Sequence, residues 1–391
     1  MTMAGRHTDA RAPIVRRASV PARGPRPAEE LAEELGPGPF ALVMLFASPE
    51  ADLVRLAGQA ARIFTGARLV GCTTAGEISR AGYDEDTIVA VALPASHFGA
   101  ETLTIPDLSR LEPRDLTTAV VRAREALAQD HPAFAHEFAM LLVDGLSVKE
   151  DELASALATG LGSMPLFGGS AGDGTRFRQT LIMDGDRLLR NAAVLSFVRS
   201  ACPVRIFNLD HLVPTAKRMV VTLAEPRRRI VRRINDEPAA REYARLLGKD
   251  GQQLTPFTFA AHPLAVRMGG RHHVRAIQQV APNGDLLFFC AIDEGVVLTV
   301  AEPQDLALHL ERELDRLGDP AQPAAILAFD CILRRLEAQE KQLTGRVSDI
   351  LRRHGVTGFS TYGEQLGAMH VNHTMTGIAF YPPGTALPED G

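Results

Sequence analysis

One short glycine-bearing phrase occurs three times in this chain, each time closing the same kind of segment. Gly71-Cys72-Thr73-Thr74-Ala75-Gly76-Glu77 is echoed by Gly358-Phe359-Ser360-Thr361-Tyr362-Gly363-Glu364. A looser copy runs Gly168-Gly169-Ser170-Ala171-Gly172-Asp173. An internal repeat constrains architecture before any single residue does, because each copy needs neighbours to bury its apolar face. Each phrase follows an apolar run and a helical pattern, so one strand–helix–strand–Gly-loop unit is used three times.

In the first unit, Phe40 to Ala47 is continuously apolar, the pattern of a strand covered on both faces. Ser48-Pro49-Glu50 predicts a helix start, and Leu53, Leu56, Ala57, Ala60 and Phe64 form its stripe. A strand from Arg68 to Val70 then reaches Gly71. The second unit pairs Phe138–Val143 with a helix carrying Leu153, Leu157 and Leu161, opened by a capping box at Ser147–Glu150. The third pairs Ala325–Phe329 with a stripe of Leu336, Leu343, Val347 and Ile350. Strand–helix–strand crossovers imply parallel pairing under a helical layer. Ile14–Val20, Thr87–Leu93, Thr180–Met183, Ala192–Val198, Arg205–Leu209, Val274–Val280 and Leu286–Ile292 read as further strands, with Asp184-Gly185 and Asn283-Gly284 as hairpin turns.

The expected fold is therefore α/β, with two mixed-sheet domains built from these repeated units. A length of 391 residues exceeds one ordinary core. The expected division is a disordered N-terminus at 1–12, a first domain at 13–234, a second at 235–381 and a tail at 382–391. A formal charge of −5 and the absence of Trp give no footing for a nucleic-acid partner. Cys72, Cys202, Cys290 and Cys331 lie far apart in apolar runs, the pattern of reduced thiols in a cytoplasmic protein. No run of apolar residues is long enough for a membrane span.

The phrases admit two readings. Backbone N–H groups in a Gly-rich loop can face an anion or carboxylate, making Gly71, Thr74, Gly76, Glu77, Gly168, Ser170, Gly172, Asp173, Gly358, Thr361, Gly363 and Glu364 candidate ligand-loop residues. Equally, the glycines permit tight turns while Thr74, Ser170 and Thr361 cap backbone groups. The P-loop Lys and the dinucleotide fingerprint are both missing. Glu77, Asp173 and Glu364 are equivalent within the repeat, and the sequence brings no two of them together. Without GxSxG or another motif-level nucleophile, nothing argues for an enzyme.

Among twelve histidines, the segment Met369–Gly377 stands out. Read as one strand, it places His370, Asn372, Thr374 and Thr376 on a polar face, and His373 with Met369, Val371 and Met375 on an apolar one. A histidine among methionines and aliphatics suits either a haem iron or a core hydrogen bond to the backbone. His262, in an apolar setting before Pro263, is a second candidate, and His370 a third.

Several phrases together resemble a known family. Leu69–Ile78 and Leu166–Asp173 are similar to the N-terminal FIST domain. Asn235-Asp236-Glu237-Pro238-Ala239 with Tyr243, His262-Pro263-Leu264, Phe359–Glu364 and Asn372-His373-Thr374 are similar to the C-terminal FIST domain. The resemblance spans about residues 14 to 381. It implies a sensory module that binds a small ligand, with amino acids proposed for the family. It also implies, through a nitric-oxide-sensing branch, haem b and a partner histidine kinase or cyclic-di-GMP enzyme. On that expectation His373 is the iron ligand. The alternative is a haem-free module for an amino-acid-like metabolite, held by the glycine loops.

Overall fold

The computed structural model describes residues 13–250, 254–268 and 270–387. The expected disordered stretch 1–12 lies outside them, as do 388–391 of the expected tail. Each repeat nucleates a six-stranded sheet, and the three sheets follow one plan. In the first, Phe40–Ala47 pairs in parallel with Arg68–Thr73 and antiparallel with Thr87–Pro94. In the second, His136–Val143 pairs in parallel with Leu166–Ser170 and antiparallel with Ala193–Ser200. In the third, Ala325–Cys331 pairs in parallel with Val356–Thr361 and antiparallel with Met375–Phe380. The fold is a mixed α/β one, as the alternation of apolar runs and helical stripes predicts.

The far edge of each sheet is completed by a hairpin from a different repeat. The chain leaving the first phrase forms Glu77–Ser79 and Gly82–Asp84, which pair onto Val356–Thr361 of the third sheet. The chain leaving the third phrase forms Glu364–Leu366 and Met369–Val371, which pair onto Leu166–Ser170 of the second. After the second phrase come Ile182–Asp184 and Arg187–Leu189, which pair onto Arg68–Thr73 of the first. Hairpins are thus exchanged in a cycle, and the third repeat shares backbone ladders with both of the others.

The inner faces of all three sheets bury one aromatic core. Phe46 stacks on Phe359 at 4.7 Å and Phe167 on Phe329 at 5.4 Å between ring centroids. Helices cover the outer faces. Helices α1 (Pro27–Leu35) and α2 (Leu53–Ile63) cover the first sheet; α3 (Pro113–Asp130) and α4 (Glu150–Leu161) cover the second. An eight-stranded antiparallel sheet carries α5 (Ala239–Leu247), and α6 (Pro256–Ala261) follows it in the chain. Helices α7 (Leu306–Leu317) and α9 (Thr344–Arg353) cover the third sheet, while α8 (Ile332–Glu340) lies at the junction with the eight-stranded sheet.

Two helix starts differ from expectation. Helix α2 begins three residues past Glu50, capped by Asp52, whose carboxylate accepts from Arg55 N at 3.1 Å. Ser48 instead follows the end of its strand, with its hydroxyl accepting from Glu50 N at 3.3 Å. The Ser147–Glu150 box does not form, because Ser147 accepts from Lys149 N at 3.3 Å and leaves Lys149 as an N-cap without a side-chain bond. Short-range hydroxyl turns compete with capping at both places. The third helical stripe is split between α8 and α9, with Gln342 in a left-handed conformation between them.

Candidate functional site

The first glycine of each phrase lies inside a strand, not in a loop as the sequence reading had it. Gly71, Gly168 and Gly358 sit opposite Leu45, Leu141 and Ala328 across the parallel ladder. A Cβ on any of the three would collide with the carbonyl oxygen of that partner. These glycines allow close backbone approach, so their role is in the sheet.

The rest of each phrase joins the repeats to one another. Ala75 N donates to Ser360 O at 2.8 Å and Ser360 N to Gly76 O at 2.7 Å, tying the first phrase to the third. Gly172 N donates to Thr73 O at 3.0 Å, and Ser170 N to Gly363 O at 2.8 Å. The three phrases therefore meet in one place, which sequence reasoning did not bring together. Many of their polar groups are spent on this junction, leaving fewer for a ligand.

The repeated acids follow the same logic. Thr74 Oγ1 bonds Glu77, whose other oxygen accepts from Thr87 N at 3.3 Å and Oγ1 at 3.2 Å. Thr361 Oγ1 bonds Glu364, whose other oxygen accepts from Thr374 N at 3.3 Å and Oγ1 at 2.6 Å. Asp173 accepts from Arg178 N and Gln179 N, each at 2.9 Å, and from the Tyr362 hydroxyl. Burial pushes the Glu77 carboxyl up to about 7 and the Glu364 carboxyl up to about 8. Each acid fastens its own loop to the strand or turn that follows it.

The histidine setting expected from strand alternation does not form. The strand ends at Val371 and resumes at Met375, and His373 between them has φ +60°. Its Nε2 lies 3.1 Å from Glu337 Oε2, in a charged interior with His211, Arg334 and Asp330 rather than among methionines. Met369, the expected neighbour, is 37% exposed. The turn breaks the period-two rule on which the two-faced reading depended. His370 is buried between Gln365 and Asn372. His262 closes α6, where its carbonyl accepts from the Tyr243 hydroxyl at 2.6 Å.

His211, Glu337 and His373 have donor atoms within 4.8 Å of one another, a two-histidine, one-carboxylate set of the kind that binds metals. The tautomer of His211 argues against a metal. Arg334 Nη1 lies 2.8 Å from His211 Nδ1, and a guanidinium only donates. Nδ1 is therefore the acceptor, and the ring proton sits on Nε2, donated to Glu337 at 2.9 Å. A metal-bound histidine has the reverse arrangement, donating through its other nitrogen. Burial, with Arg334 alongside, pushes His211 down to about 3, so the ring is neutral; His211 and His373 hold Glu337 ionised despite its burial. Asp330 bonds Arg334 at 2.7 Å and Lys341 bonds Glu337 at 2.8 Å, so two cations already balance two anions.

A haem does not fit at His373 either. The side chain has no exposed surface and its Nε2 is engaged, so a porphyrin would have to displace the packed charge network. Cys331, the other buried soft ligand nearby, has its thiol pushed well above the ordinary range by burial and offers no thiolate.

Beside the phrase junction is a cavity of about 320 Å³. Thr74, Gly76 and Glu77 form one wall, Gly174–Arg176 a second, and Ile332, Arg335, Leu336 and Gln339 of α8 a third; Ser48, Glu50, Glu85 and Asp86 complete it. All three repeats contribute to it. Arg335 is almost wholly buried, donating to Asp84 O at 2.7 Å and Glu77 O at 3.2 Å, with Glu85 at 3.2 Å. Arg176 bonds Glu50 at 2.9 Å. Gly76, at φ +127°, has no room for a Cβ against the Arg335 guanidinium. Of the sequence-predicted residues, Thr74, Gly76 and Glu77 line this cavity. Arg335 was missed, since a helix arginine carries no signal until its helix is docked against another repeat.

These features accompany a family match. The FIST N domain model matches residues 41–237 and the FIST C domain model residues 239–366, so the chain belongs to the FIST family of sensory domains in signalling proteins. No curated protein matches the sequence. No helix among the described residues is long and apolar enough to cross a membrane.

Proposed function

We propose that the chain is a haem-free sensory protein whose ligand is a small zwitterion, an amino acid or close relative, bound in the cavity at the phrase junction. The carrying observation is that guanidinium groups of Arg335 and Arg176 share this cavity with the carboxylates of Glu50, Glu85 and Asp86. A zwitterion would replace protein–protein ion pairs with equivalent ones of its own, avoiding an unpaired charge. Since all three repeats line the cavity, a bound ligand biases how they pack, and a partner reads the difference. A histidine kinase or a cyclic-di-GMP enzyme is the partner class to test first, on the sequence resemblance.

Isothermal titration with the common amino acids tests the reading. One or a few should bind at one site per chain, and Arg176→Gln should weaken binding about tenfold or more, about 1.4 kcal/mol. Absence of binding across the panel, combined with a stoichiometric Soret band after haem reconstitution, would replace the zwitterion with haem.

A further inference from the structure

A larger cavity, about 520 Å³, lies on the eight-stranded sheet and shares no lining residue with the cavity at the phrase junction. The register explains its lining. Arg218 pairs with Thr299, Ala265 also pairs with Thr299, and Arg267 pairs with His272. Side chains directly opposite one another share a face, so Arg218, Thr299, Arg267 and His272 all point to the same side. Arg275 adds a third guanidinium. The connection from Ala291 to Val296 adds Ile292 and Val296 to the lining, and Val297, two residues before Thr299 in its strand, shares the arginine-bearing face.

The charge of this cavity is unbalanced. Among the described residues, none of the three arginines has a carboxylate within 4.0 Å, although Asp293 stands in the lining. Arg275 bonds His370 O at 3.4 Å and the buried Cys290 thiol, neither of them a carboxylate, which leaves Arg218 and Arg267, among the described residues, as the free charges of the cavity. The walls between the guanidinium groups are aliphatic, with Val297 48% exposed. Cations around an apolar slot match a ligand with an anionic head and an apolar body. A neutral or cationic ligand would leave the guanidinium groups without a partner.

We propose that this cavity is a second binding site, for an organic carboxylate with a flat or aliphatic apolar body. Arg218 and Arg267 take the carboxylate and Ile292, Val296 and Val297 take the body. The site is also wired to the repeats. Ala291 N donates to Asp151 Oδ2 at 3.4 Å, and Arg229 joins the same sheet to Glu150 at 2.6 Å, both at the start of α4. Filling the slot therefore bears on the second repeat.

The probe is 2-naphthoate, titrated calorimetrically into the full chain beside the neutral 2-naphthylmethanol. One naphthoate should bind per chain, and the alcohol about tenfold or more weaker. The double variant Arg218→Gln/Arg267→Gln should lose naphthoate affinity by a similar factor while keeping its melting temperature, because both side chains are exposed. Arg176→Gln, in the other cavity, should bind naphthoate unchanged. The proposal is overturned if naphthoate fails to bind at about 1 mM, if acid and alcohol bind alike, or if the double variant binds as well as the parent. Loss in Arg176→Gln but not in the double variant would place naphthoate in the first cavity and overturn it equally.

Discussion

Glu364 has no exposed surface, and burial, with Asp330 nearby, pushes its carboxyl up to about 8. A carboxyl raised in the fold keeps its proton there after the unfolded chain has lost it. Its contribution is fully present below the ordinary value of 4.5 and is lost as pH rises to about 8, at about 1.4 kcal/mol per pH unit. Glu77 adds the same trend up to about 7. Glu364→Gln keeps an acceptor for Thr374, turns an NH2 donor towards the Thr361 hydroxyl, and cannot titrate. Its urea midpoint should therefore fall less than the parent's between pH 5 and pH 8. An equal fall in both proteins would mean that Glu364 is already ionised in the fold.

The element that binds the architecture together is the exchanged hairpin. Glu77–Ser79 and Gly82–Asp84 leave the first repeat and pack against α9, where Ser348 Oγ accepts from Tyr83 N at 3.2 Å. Gly82 has φ +95°, and a Cβ there would lie 2.5 Å from Ser348 Cα. Gly82→Val should destabilise the protein by about 2–4 kcal/mol, combining left-handed strain with overpacking. Chemical denaturation would measure this; a loss below the error of that method would mean that the hairpin is not tightly docked. The elements themselves were largely legible: the continuous apolar run Phe40–Ala47 is a strand over those same residues. The 18-residue α3 and the 14-residue strand Leu212–Glu225 were not read. Helix α3 buries few of its residues, so its apolar stripe is thin, while half of that strand is exposed and its ladder is broken by a register shift.

At the scale of the molecule, cyclic exchange makes the repeats interdependent. A chain ending at 237, where the FIST N match ends, keeps Leu166–Ser170 but lacks the hairpin that completes its edge. The same fragment keeps Glu77–Asp84 but lacks Val356–Thr361, onto which they pair. Unpaired edges over an exposed aromatic core favour aggregation. Residues 1–237 and 238–391 expressed separately should be insoluble, and co-expression should yield a soluble complex by size-exclusion chromatography. A monomeric, cooperatively melting 1–237 fragment would show that the N-terminal part folds without its exchanged partners.

The three repeats, their parallel strand pairs, the buried helical stripes and the family are all written in the order of residues. These depend on local periodicity and on glycines that a neighbouring strand requires. Which repeat receives which hairpin emerged from long-range packing, because strand pairing at a sheet edge leaves no periodic trace. The same packing turns His373 to face Glu337 instead of methionines, because one residue at φ +60° resets the faces that alternation predicts. Arg335 and Arg218 acquire meaning in the same way: an arginine's chemistry is set by the side chains brought to it from distant parts of the chain.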